Sequence, residues 1–106
     1  DDKALQIYRR AMEVDPENAI LNFNLGQLLL VLGRHTEGDR ALARFRDRWT
    51  GDPALVHFHL GNALAQANRL EEARTKYRAF LQAWEREDEL RRSAERILKS
   101  IRPPTQ

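Results

Sequence analysis

Residues 23–38 read FNLGQLLLVLGRHTEG, and residues 58–73 read FHLGNALAQANRLEEA. The second stretch restates the first thirty-five residues on. Laid without a gap, residues 19–53 over 54–88 give nine identities: Ala19/Ala54, Phe23/Phe58, Leu25/Leu60, Gly26/Gly61, Leu29/Leu64, Arg34/Arg69, Glu37/Glu72, Phe45/Phe80 and Trp49/Trp84. The matches fall at helical spacings. A period of this length marks a helical solenoid, in which one repeat cannot bury its own apolar face and stacks on a neighbour.

Each unit divides at the same place. In the first, Asp15-Pro16 reads as an N-cap with proline at the first helical position, and Gly33 supplies a left-handed stop. Thr36 is the expected cap of the next helix. In the second unit Asp52-Pro53 repeats the start signal, and Asn68 stands where Gly33 stood. Before the two hairpins, Leu5, Tyr8, Ala11 and Met12 recur at helical spacing; after them, Leu90, Ala94, Ile97, Leu98 and Ile101 do the same. The expected helices span 3–14, 17–32, 37–49, 54–67, 70–84 and 89–101, with no strand.

Composition agrees with this reading. The 106 residues are 42% apolar and 32% charged, which fits one compact folded domain better than a disordered or fibrous segment. With no cysteine there is no disulfide framework, no thiolate metal site and no cysteine nucleophile. No run approaches the roughly 18 apolar residues of a membrane span, and the opening DDKALQ lacks a basic region followed by an apolar one. The expectation is a soluble, mature segment of the cytoplasm or a bacterial periplasm, with no membrane insertion. The net charge is +2, but basic and acidic residues are mixed, as in EREDELRRSAERILKS. No basic stripe is interleaved with stacking aromatics, so nucleic acid is not an expected partner.

Gly26 and Gly61 sit mid-helix, where glycine costs about 1 kcal/mol against alanine, so a neighbouring helix is expected to approach closely there. Gly38 and Ala73 are small for the same reason on the facing helix, with Leu42 and Tyr77 filling the space beside them. Phe45/Trp49 and Phe80/Trp84 lie four apart and form aromatic ridges, read as core against the next hairpin or the final helix, with an exposed partner patch as the alternative.

These residues resemble the tetratricopeptide repeat family. Its pattern of Leu-Gly and a large residue three positions on fits Leu25-Gly26 with Leu29 and Leu60-Gly61 with Leu64, and the second-helix pattern fits Ala73 and Tyr77. Ala4, Tyr8, Ala11 and Pro16 fit the second helix of an earlier repeat. The resemblance covers roughly residues 3 to 88. Its first full unit is thirty-five residues against the usual thirty-four, and Phe45 and Phe80 stand where the family has a small residue. It implies an all-α, antiparallel helix-hairpin solenoid with a right-handed superhelical twist. Residues 1–18 are then part of a partial repeat, 19–53 and 54–88 full repeats, 89–102 a capping helix and 103–106 a tail. In that cap Arg91, Arg92, Glu95, Arg96 and Lys99 are expected to face water. The Arg-rich, Ala-rich composition and the run YRAFLQAW resemble bacterial members.

No catalytic or cofactor chemistry is legible, and the chain does not read as an enzyme. His57 and His59 are two apart on a helix and point to nearly opposite faces, with no carboxylate at i+4; His57 replaces a large residue and is expected to be partly buried, and His35 sits in a turn. Ser93 and Ser100 lie on the last helix without a nearby histidine or an elbow of glycines, and the glycines are too scattered for a phosphate loop. Glu71-Glu72 and Glu87-Asp88-Glu89 sit at helix starts, where they complement the dipole.

The resemblance implies a concave wall lined by the first helices, mapping ligand-facing positions to Ile20, Phe23, Asn24, Gln27, Leu30 and Val31 and to Leu55, Phe58, His59, Asn62, Ala65 and Gln66. Phe23 and Phe58 are the expected apolar anchors, and Asn24, Gln27, His59 and Asn62 the expected hydrogen-bonding groups for an extended peptide. One subgroup grips a terminal carboxylate through Lys, Asn and Arg; Asn24 matches its asparagine, but Leu55 and His59 occupy basic positions. The implied ligand is therefore apolar and neutral-polar. Two functions follow: a scaffold or adaptor binding a protein or peptide in the groove, or a structural segment that self-assembles into a homo-oligomer through its exposed array ends or stacks on a longer array.

Overall fold

The computed structural model describes residues 2–101; Asp1, Arg102 and the expected tail 103–106 lie outside the described residues. Six helices follow in order: α1 (Asp2–Val14), α2 (Ala19–Val31), α3 (His35–Arg48), α4 (Pro53–Gln66), α5 (Leu70–Ala83) and α6 (Glu89–Ser100). No strand occurs among the described residues. The fold is all-α, as expected. The chain divides between Thr50 and Gly51 into two compact units, α1–α3 and α4–α6.

In the first unit α2 packs on both α1 and α3. Leu5, Leu25, Leu29 and Ala41 form its buried centre, with Tyr8, Met12 and Leu28 packed around them. The α2–α3 contact is as close as the glycines suggest. A Cβ on Gly26 would stand 2.8 Å from Leu42 Cγ and 3.1 Å from the Gly38 carbonyl; one on Gly38 would stand 2.6 Å from Leu30 Cδ2. Gly33 turns the chain at φ 83°. The Arg34 N–H donates to Leu29 O at 2.8 Å and the Gly33 N–H to Leu30 O at 3.0 Å, so two otherwise orphaned carbonyls are satisfied.

The second unit repeats this plan. A Cβ on Gly61 would lie 2.9 Å from Tyr77 Cε1, and buried Ala73 occupies the place of Gly38. Asn68 takes the left-handed turn at φ 62°, with Arg69 N–H donating to Leu64 O at 2.9 Å and Asn68 N–H to Ala65 O at 3.0 Å. Asp52 caps α4 by accepting from Ala54 N–H at 2.9 Å, and Pro53 opens the helix, as the sequence indicates.

Two helix starts differ from the expectation. Asp15-Pro16 does not open α2: the chain turns there, and Asn18 is the cap, its Oδ1 accepting from Leu21 N–H at 3.0 Å while its Nδ2 donates to Asp15 at 3.1 Å. Arg48 braces the turn, donating to both carboxylate oxygens of Glu17 at 2.6 and 2.8 Å. That hydrogen bonding holds the Glu17 carboxyl below its ordinary range. Nor does Thr36 cap α3. Arg34, which closes the preceding turn through its N–H, is already the residue before the helix, so α3 starts at His35.

Of the ridge aromatics, Phe45, Phe80 and Trp84 are core and Trp49 is half-buried. Phe45 and Phe80 are fully buried, and Trp49 and Trp84 follow as extended residues just past their helices. Each phenylalanine meets the first helix of its own hairpin: Phe45 packs on Phe23 with centroids 5.0 Å apart, and Phe80 on Phe58 at 5.1 Å.

At α6, Ala94 is buried and Leu90, Ile97, Leu98 and Ile101 are half-buried, whereas Arg92, Glu95, Arg96 and Lys99 are exposed. Arg91 departs from the expectation of a solvent-facing residue. Its guanidinium turns back to the end of α5, donating to Leu81 O at 3.1 Å, to Arg86 O at 3.0 Å and to Trp84 O. Carbonyls left without helical donors attract a cation there. Asp88 completes the junction by capping α6, accepting from Arg91 N–H at 3.0 Å and from the Trp84 indole at 3.1 Å. The Arg91 N–H, followed by the indole, holds the Asp88 carboxyl below the usual carboxylate range despite some desolvation.

Candidate functional site

Along α2, the positions Ile20, Asn24, Gln27 and Val31 are spaced four, three and four apart, which places them on one helix face. Ile20 is 54% exposed and Val31 57%, large values for aliphatic side chains, and Asn24 and Gln27 lie half-buried between them. The Asn24 side chain makes no hydrogen bond with a described residue. This side of the helix is therefore a strip of apolar ends around neutral amides. Phe23 is half-buried against Phe45. Leu30, expected on the same wall, is buried instead, because its side chain fills the space left by Gly38.

On α4, Leu55, Phe58, His59 and Asn62 are all half-buried, Ala65 likewise, and Gln66 is exposed. Phe58 touches two aromatics of its own hairpin, Phe80 at 5.1 Å and Tyr77 at 6.0 Å. Asn62 accepts the Tyr77 hydroxyl hydrogen bond through Oδ1. Burial pushes the Tyr77 hydroxyl up to about 12, so it remains a donor throughout the physiological range. Burial also lowers the His59 pKa, which keeps this face uncharged at neutral pH. Ile20 and Asn24 are thus unspent, whereas Phe23, Phe58 and Asn62 hold the hairpins together.

One buried polar residue escaped the sequence reading. Asn22 is wholly buried, its Nδ2 donating to Asn18 O at 2.9 Å and Pro16 O at 3.2 Å, and its Oδ1 accepting from Arg44 Nε at 2.8 Å. It ties the α1–α2 turn to α3. The signal lay in the repeat itself: Asn22 aligns with His57, so both units carry a polar group at one point of an apolar face. The partner did not repeat. Arg44 aligns with Ala79, and His57 Nδ1 is buried with no hydrogen-bond partner. Desolvation, and then the nearby Lys76 charge, lower the His57 pKa.

Among the described residues no group of three or more histidine, aspartate or glutamate side chains is arranged to hold a metal ion. His57 is half-buried as expected, while His35 is the first residue of α3 and exposed. Among the same residues no helix is long and apolar enough to cross a membrane.

Two models of the tetratricopeptide repeat match the sequence, one over residues 33–88 and the other over residues 7–40. No curated protein and no solved structure matches it. Tetratricopeptide repeats are a non-catalytic module that generally mediates protein–protein interaction. The first match alone covers more than half of the 106 residues, and the α4–α5 hairpin it spans carries the close Gly61 contact and the left-handed Asn68 turn described above: the chain belongs to the tetratricopeptide repeat family.

Proposed function

We propose that this chain is a non-catalytic scaffold that binds an extended peptide of a partner protein through the first helix of a hairpin, α2 in the first unit and α4 in the second. The observation that supports this most directly is the strip Ile20–Asn24–Gln27–Val31, whose aliphatic ends stay in water at a cost that a partner's apolar side chains would relieve. The half-buried Asn24 amide between them offers hydrogen bonds to a peptide main chain without demanding a particular side chain. On α4, half-buried Leu55 and neutral His59 carry the same chemistry. With no charged side chain among these positions, the ligand is neutral and amphipathic, and its binding depends weakly on salt.

The test begins with a partner captured by affinity pull-down from the source organism. Ile20→Ala with Asn24→Ala removes one anchor and one amide without touching the hairpin packing, and weakens that partner about tenfold or more. Unchanged affinity would remove α2 from the binding surface. A second reading, self-assembly, is favoured by α1, where Ile7 (62% exposed) and Val14 (86% exposed) lie seven residues apart on one face. Solution mass that rises with concentration, and falls back in an Ile7→Lys, Val14→Lys variant, would support it.

A further inference from the structure

The first unit contains a cleft of about 230 Å³ lined by Arg9 of α1, Leu25 and Leu29 of α2, and Glu37, Arg40 and Arg44 of α3. Its apolar surface comes from two leucines that are otherwise buried. Its charged side chains are three guanidiniums against a single carboxylate. Glu37 is engaged by Arg9 at 3.2 Å. Among the described residues Arg44 spends only Nε, on the buried Asn22 amide, which fixes its guanidinium at the cleft and leaves both terminal nitrogens without a partner there. The Arg40 side chain makes no hydrogen bond or ion pair with a described residue. This concentration of cations is not a general property of the repeat, because thirty-five residues on Thr75 and Ala79 stand in place of Arg40 and Arg44.

We propose that the cleft binds an acidic segment of a partner protein, in which a glutamate or aspartate sits beside an aliphatic residue. The carboxylate is taken by Arg40 and the free nitrogens of Arg44, where charge assistance and the planar fork of guanidinium favour it over a neutral group. The aliphatic chain covers Leu25 and Leu29. Size argues for a side chain or two of a peptide rather than a cofactor, since small-molecule sites run from about 300 to 1,000 Å³. No aromatic side chain lines the cleft, so stacking of nucleic-acid bases has no platform there. The site is separate in residues and in charge from the neutral strip proposed above, and does not depend on that reading.

The probe is a fluorescent hexapeptide of alternating leucine and glutamate, acetylated and amidated, titrated against the whole chain by anisotropy. Binding is expected to weaken about tenfold or more between roughly 20 and 300 mM salt, as the Debye length contracts. Arg40→Glu is expected to weaken it about tenfold or more and Arg40→Gln by less, both with unchanged helical circular dichroism, because Arg40 is exposed and holds nothing in place. Ile20→Ala with Asn24→Ala is expected to leave this affinity intact. Equal binding of the glutamine-for-glutamate peptide, full affinity in Arg40→Glu, loss in the Ile20/Asn24 variant, or tighter binding of double-stranded DNA than of the peptide at Arg40 would each overturn the proposal.

Discussion

Gly26 and Gly38 stand opposite each other where α2 crosses α3, and the side chains that fill the gap, Leu30 and Leu42, come from one helix each. Leucine at position 26 would gain helix propensity of about 1 kcal/mol but would drive its Cβ to 2.8 Å from Leu42 Cγ, with the Gly38 carbonyl behind it. Overpacking wins: Gly26→Leu is expected to lower unfolding free energy by about 1 to 3 kcal/mol in urea titration, and an unchanged midpoint would contradict the contact. His57 makes a different prediction. Its buried Nδ1 favours the neutral ring, so the folded-state pKa lies below the ordinary value of about 6.5 and the unfolded chain takes up a proton first as pH falls. The associated stability is complete above that ordinary value and is lost as pH falls through the folded-state pKa; His59 acts in the same direction. Urea midpoints at about pH 7.5 and 5.5 should therefore diverge less in His57→Leu than in the unmodified chain, and equal divergence would clear His57 of the effect.

At the scale of elements, the features legible in the sequence were those that one residue determines locally. Gly33 and Asn68 are the two residue types that tolerate a left-handed backbone, and both turns use them. Asp52-Pro53 caps and opens α4, with the Asp52 carboxylate accepting from Ala54 N–H. Asp15-Pro16 carries the same letters, yet Asn18 caps α2, since its amide reaches Leu21 and Asp15 together while Arg48 holds Glu17 in the turn. The Arg48 contact comes from 31 residues along the chain and leaves no local mark. Arg91 is the other case: surface spacing assigns it to water, but the carbonyls at the end of α5 draw it inward. Arg91→Lys replaces a planar fork by one ammonium and should cost about 1 to 3 kcal/mol of thermal stability, whereas Arg92→Lys on the exposed face should cost almost nothing. Equal melting temperatures for the two variants would show that the junction does not depend on the guanidinium.

For the whole molecule, the helical repeat was legible because Leu25-Gly26, Leu60-Gly61 and the paired aromatics recur in phase, and each hairpin closes on those residues. The candidate surface was legible only in part. Periodicity marks a helix's sides but does not say which side its own hairpin consumes: Phe23 and Phe58 pack on Phe45 and Phe80, and Leu30 fills the space at Gly38. What remains unspent is Ile20, Asn24 and Val31, and this residue set is the core of the proposed scaffold function. The most direct test is amide chemical-shift mapping of the isotopically labelled chain during titration with a partner captured by pull-down, at low and at high salt. The account predicts shifts concentrated on α2 and α4 around Ile20, Asn24, Gln27, Val31, Leu55 and His59, with affinity changing by less than about threefold between the two salt conditions. Shifts confined to α1, α3, α5 or α6, with α2 and α4 silent, would contradict it.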